Sequence, residues 1–148
     1  MKHGKAALAL LLAGCCALAA GCSARRAVSA EEFTAAAEDA GFTVTQEAEG
    51  PSVMLEKDGA TITFVECGSS SAANQVYSGQ RETLQSTAES GGGTPRTLDS
   101  DTYRHYFVTV GDFYYALVQN GGTVCFVEAA ATDQETVESL LREVGYLS

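Results

Sequence analysis

The chain has 148 residues, 45% of them hydrophobic, and a formal net charge of −10 at pH 7, which suits one domain of ordinary size. A surface this acidic repels phosphate backbones and anionic headgroups, so no nucleic acid is expected as a partner. Three of the five cysteines fall within the first 22 residues, which leaves too few in the body for a disulfide framework or a multi-cysteine zinc site.

Met1–Lys5 is basic through Lys2 and Lys5, and the uncharged apolar run that follows ends in Ala19-Ala20-Gly21-Cys22. A basic start, a short apolar stretch and a small-residue exit form the layout of a secretory signal peptide, too short for a stable membrane span. Leu18-Ala19-Ala20-Gly21-Cys22 resembles the lipobox of bacterial lipoproteins. That resemblance implies a diacylglyceryl group on Cys22, cleavage just before it, and a protein tethered to the cell membrane on its extracytoplasmic face. Leu12-Ala13-Gly14-Cys15 is the alternative lipobox, but cleavage there would leave Cys16–Ala20 as an apolar stub. An apolar N-terminal helix, or an unlipidated signal cut after Ala19, are the bland readings. Residues 1–21 are thus expected as signal, 22–28 as lipidated cysteine and short tether, and 29–148 as one domain. All 19 acidic residues lie beyond the signal, so loss of Lys2 and Lys5 takes the net charge to −12.

The body opens with a helix, because Ser29 with Glu32 makes a capping box and Phe33, Ala36, Ala37 and Ala40 recur at helical spacing up to Gly41. Phe42–Gln46 alternates as a strand, and Val53–Lys57 and Ala60–Cys67 flank the hairpin signal Asp58-Gly59. A serine run, Ser69–Ser71, caps a second helix over Ala72–Ser86. Thr87–Pro95, with three consecutive glycines, predicts a flexible loop dividing the body. Then come a short strand, Arg96–Leu98, and three longer ones, Thr102–Val110, Phe113–Gln119 and Thr123–Ala129. The last helix, Asp133–Val144, is preceded by a second capping box, Thr132 with Glu135.

Ile62–Glu66 and Val124–Glu128 match in residue type and position, which suggests an internal pseudo-repeat. The reading is α+β: a two-layer sandwich with a mainly antiparallel sheet of about six strands, helices on one face, and the order α-βββ-α-βββ-α. The lipobox, Ser29-Ala-Glu-Glu-Phe33, Gly41-Phe42-Thr-Val44, the tyrosine-rich meander and Leu140-Leu-Arg-Glu-Val-Gly-Tyr146 together resemble a group of small uncharacterised bacterial lipoproteins. The resemblance implies the anchor and the α+β fold, and carries no activity.

No residue set makes a catalytic constellation, so no cofactor and no metal site are expected. His105, the one histidine of the body, shares a strand face with Tyr103 and Phe107 and reads as a strand histidine unless Cys67, Cys125 or a serine comes beside it. Cys67 and Cys125 either pair as a disulfide, if their α-carbons approach within about 7 Å, or remain two thiols. Asp99, Asp101 and Asp112 lack the spacing of a calcium loop. Glu66 and Glu128 end similar strands and read as a facing carboxylate pair or as solvated strand ends. Tyr103, Tyr106, Tyr114 and Tyr115 form the expected ligand or partner surface, since consecutive strand aromatics cover both sheet faces; cross-strand packing is the competing reading. The expectation is a lipid-anchored, non-catalytic module that binds a protein or small ligand through the open sheet face or the glycine loop. The alternatives are an extracytoplasmic enzyme, hydrolytic or thiol-dependent, using Cys67 or His105, and a structural envelope lipoprotein.

Overall fold

The structure, a computed structural model, describes residues 26–47 and 52–148. The signal-like segment, with Cys15 and Cys22, lies outside the described residues. Helix α1 (Ala30–Asp39) starts as its capping box requires: Ser29 Oγ accepts from the Glu32 amide at 3.1 Å, and the Glu32 carboxylate accepts from the Ser29 amide at 3.0 Å. It buries Phe33 and Ala37 and ends before Gly41, where the Lys57 ammonium donates to the Ala40 carbonyl at 2.6 Å. The cation therefore sits where the helix leaves unpaired carbonyls.

Strands β1 (Thr43–Glu47), β2 (Ser52–Lys57) and β3 (Ala60–Glu66) form an antiparallel meander. Asp58 and Gly59, at φ 51° and 87°, make the positive-φ turn that matches strand twist. Helix α2 (Ser70–Gly91) follows, then β4 (Arg96–Asp99), β5 (Tyr103–Val110), β6 (Phe113–Asn120) and β7 (Thr123–Ala130). A single 3-10 turn, Ala131–Asp133, leads into α3 (Gln134–Glu143). The expected Thr132–Glu135 capping box does not form: the 3-10 turn moves the helix start to Gln134, and no side chain caps it.

The seven strands form one antiparallel sheet in the order β1-β2-β3-β7-β6-β5-β4. Each of the seven segments read as strands is one, against the overall count of about six, so the element order is α-βββ-α-ββββ-α, with the short β4 as the extra strand. The fold is α+β, but the helices do not share one face. Phe33, Ala37, Val137, Leu140 and Leu141 of α1 and α3 pack on Leu55, Ile62, Phe64, Cys125 and Val127. Ala73, Tyr77, Leu84 and Ala88 of α2 pack on Tyr106, Val108, Leu117 and Val124, which point the other way. The architecture is therefore three layers over half of the sheet. Burial along β5 and β6 reflects this, since both strands carry buried residues on both faces.

The pseudo-repeat is corrected by the same geometry. β3 and β7 are hydrogen-bonded neighbours, with Ile62 opposite Val127 and Phe64 opposite Cys125. Ile62 and Phe64 face α1 and α3, whereas their sequence counterparts Val124 and Phe126 face α2. A proper rotation that exchanges two antiparallel neighbours keeps their facing, so the likeness is shared strand chemistry without spatial symmetry.

Candidate functional site

The aromatic cluster is largely core, as the cross-strand packing reading has it, and not an open ligand or partner surface. Tyr103, Tyr106 and Tyr114 are 3%, 2% and 1% exposed, Tyr115 is half-buried, and only its stacking partner Phe113 stands out, at 52%. The expectation assumed one helical layer; with α2 on the second face, both sides of the meander have a cover. The Tyr103 hydroxyl donates to the Tyr146 carbonyl at 2.6 Å, and Tyr114 donates to Glu138 at 3.0 Å.

His105 stacks flat on Phe107, centroids 4.4 Å apart, with its Nδ1 3.2 Å from the Tyr103 hydroxyl. In the strand register His105 lies opposite Val118, which lies opposite Cys125, so a whole strand separates histidine and thiol by about 10 Å. Cys125 is fully buried, and desolvation pushes its thiol far up from the thiolate a nucleophile needs. Cys67 packs on the α2 side of the sheet and Cys125 on the other, and both are free thiols, so of the two readings the pair of separate thiols is the one the structure has. Glu66 lies opposite Thr123 and Glu128 opposite Thr61, at the two ends of the β3–β7 ladder, so they do not face each other. Asp99 is ion-paired with Arg81 at 3.0 Å, and no cluster of three or more metal-capable side chains occurs among the described residues.

The glycine stretch is not a loop over 87–95. α2 continues through Thr87 to Gly91, and Gly92 closes it in the left-handed conformation, φ 74°. The next residues pass so close to β5 that a Cβ on Gly93 would lie 2.8 Å from the Thr109 carbonyl oxygen. Three glycines end the helix and press the chain onto the sheet; they are a cap and a close contact.

That close turn builds a cleft of about 370 Å³ between the C-terminal half of α2 and the edge strand β4. Arg81, Gln85 and Glu89 line one wall, successive turns of one helix face, and Gly93, Pro95 and Thr97 line the other. Tyr106 lines the cleft between the two walls, and its hydroxyl has no hydrogen-bond partner among the described residues. The Arg81 guanidinium lies over the tyrosine ring, 5.9 Å from its centroid, and is held there by Asp99. Burial raises the hydroxyl's pKa; the Arg81 charge opposes that shift and the Glu89 charge adds to it. Of the cleft residues, sequence reasoning had singled out Tyr106 and the glycine stretch. Arg81 and Gln85 fell on the expected helix without being singled out, Glu89 fell in the expected loop, and their four-residue spacing was the only available signal.

A second surface is the corner of the sheet that α2 leaves uncovered. There Glu56, Thr61, Glu128 and Tyr115 form one cross-strand row, with Met54, Thr63 and Phe126 in the next. No family model, curated protein or solved structure matches the chain, so its chemistry is argued from this geometry alone.

Proposed function

We propose that this is a lipid-anchored extracytoplasmic binding module, held at the membrane through Cys22, which takes its ligand in the cleft between α2 and β4 without chemistry of its own. The anchor rests on the lipobox-like run Leu18-Ala19-Ala20-Gly21-Cys22 and on the resemblance to small bacterial lipoproteins. No helix among the described residues is long and apolar enough to cross a membrane. The single observation that carries the binding reading is the Tyr106 hydroxyl, buried and unpaired at a cleft whose volume falls in the range of small-ligand sites. A buried donor without an acceptor costs about 1–3 kcal/mol, and a ligand oxygen would remove that cost.

One experiment addresses both halves. The full chain is extracted from its own membrane and its mass measured under denaturing and native conditions. Denaturing spectra are expected to show a diacylated chain beginning at Cys22, lost in Cys22→Ala. Native spectra are expected to show an additional small non-covalent ligand, lost in Gln85→Trp, which fills the cleft from its exposed wall. An unlipidated mass sinks the anchor. A ligand that survives Gln85→Trp, or no ligand in either protein, sinks the cleft.

A further inference from the structure

From the order of groups along this cleft, a reading that rests on the cleft being the binding site, we infer that its ligand is a short peptide with free termini. Arg81 and Glu89 are eight residues apart on one helix face, which places their α-carbons about 12 Å apart along the axis. The wall therefore carries a cation at one end and a carboxylate at the other. An extended tripeptide, at about 3.3–3.6 Å per residue, separates its ammonium and carboxylate by a similar length. Its carboxylate belongs at Arg81 and its ammonium at Glu89.

The hydrogen-bonding state of each group fits this occupant. Among the described residues Arg81 bonds Asp99 through Nη1, which leaves donors on Nε and Nη2 for a second carboxylate. Glu89 accepts from Gln85 on Oε1 at 3.1 Å, and its Oε2 is open to an ammonium. Gln85, engaged through its amide nitrogen, keeps a carbonyl oxygen for a peptide N–H. Tyr106 supplies the one buried donor, suited to a peptide carbonyl at the middle of the chain. Ala88, Pro95 and the tyrosine ring give apolar walls that would hold small side chains. A neutral apolar ligand would leave both charges and the hydroxyl unanswered. A simple anion would meet Glu89 with like charge.

The test is calorimetric titration of the detergent-extracted full chain with trialanine and with its N-acetylated, C-amidated form. Trialanine is expected to bind saturably at millimolar concentration, and blocking its termini is expected to weaken binding at least about tenfold. Tyr106→Phe is expected to weaken trialanine about five- to tenfold while leaving the urea midpoint unchanged or raised, because the hydroxyl it removes has no partner among the described residues. A lowered midpoint with unchanged affinity would assign Tyr106 to structure alone and overturn the inference. Equal affinity for the blocked peptide, still weakened by Tyr106→Phe, would overturn the zwitterionic ligand and keep the cleft. No saturation by either peptide up to about 10 mM would overturn the ligand class, with the cleft itself then judged by the native mass of the extracted protein.

Discussion

One heavily bonded side chain is one that its sequence context gives no reason to notice. Glu138 sits on α3 between Val137 and Ser139, 6% exposed, and its Oε1 accepts from Arg96 at 2.6 Å, Gln134 at 2.9 Å and the Tyr114 hydroxyl at 3.0 Å. Its Oε2 accepts from Arg142 at 3.0 Å. Burial alone would raise its pKa, but the bonds from Gln134, Arg96 and Tyr114 outweigh that and hold it below the ordinary 4.5. A carboxylate depressed in the folded state contributes stability that is present above its unfolded pKa and lost as pH falls through the folded one. Glu138→Gln should therefore cost about 2 kcal/mol at neutral pH. That difference should shrink as pH falls below about 4. Urea midpoints of the two proteins at pH 7 and pH 3.5 check this; a difference independent of pH would mean that the charge is not what holds Arg96 and Arg142. Two tyrosines make a second contrast. The Tyr146 hydroxyl bonds the Thr123 hydroxyl and accepts from the Val28 amide, so Tyr146→Phe should cost about 1 kcal/mol. Burial pushes Tyr77 up to about 12, yet its hydroxyl has no partner among the described residues. Tyr77→Phe should be neutral or stabilising, and equal losses in both variants would show that water bonds the Tyr77 hydroxyl.

At the level of elements, glycines separate three roles that one letter hides. Gly79 lies in the exposed middle of α2 with open space where a Cβ would go, so Gly79→Ala should stabilise by about 0.5–1 kcal/mol. Gly92 is left-handed at φ 74° with no neighbour in the way, and alanine there should cost about 1 kcal/mol. Gly93 has a β5 backbone oxygen 2.8 Å from its absent Cβ, and Gly93→Ala should cost about 2–3 kcal/mol by pushing the α2–β4 turn off the sheet. Thermal unfolding of the three variants should rank them in that order, and a harmless Gly93→Ala would mean that the turn is mobile after all. The ranking also shows what was legible beforehand. Strand positions, the Asp58-Gly59 hairpin and the Ser29 capping box follow from local chemistry, and the structure places them within a residue or two of expectation. The glycine run reads locally as a loop, and only the path of β5 shows it to be a helix end packed on the sheet. Arg81, Gln85 and Glu89 were illegible for the same reason: what faces a helix surface is set by the chain that returns beside it.

At the scale of the whole molecule, the decisive feature is that α2 crosses to the face opposite α1 and α3. Alternation along β5 already assigned Tyr103 and Phe107 to one side and Tyr106 and Val108 to the other, but nothing local said that both sides would be covered. The two cysteines of the body report on this arrangement. Cys67 lies half-buried beside the α2 layer, whereas Cys125 is fully enclosed beneath α1 and α3, with the sheet between them. A disulfide needs α-carbons within about 7 Å and side chains that converge, which residues on opposite faces do not offer. Under a mild oxidant the extracted protein should keep the mass of two thiols in its body. Treated with N-ethylmaleimide at pH 8.5, it should gain one adduct readily, at Cys67. Cys125, with burial raising its thiol further, should react only at the rate of global opening, so added urea should speed the second adduct far more than the first. Fast labelling of both cysteines in the native protein would show Cys125 open to solvent, and a mass two hydrogens lighter after oxidation would place the two together; either would overturn the three-layer arrangement. Slow labelling of Cys125 alone would measure how firmly α1 and α3 close the far side of the sheet. It would do so without disturbing the α2 face, where Tyr106 and its cleft lie.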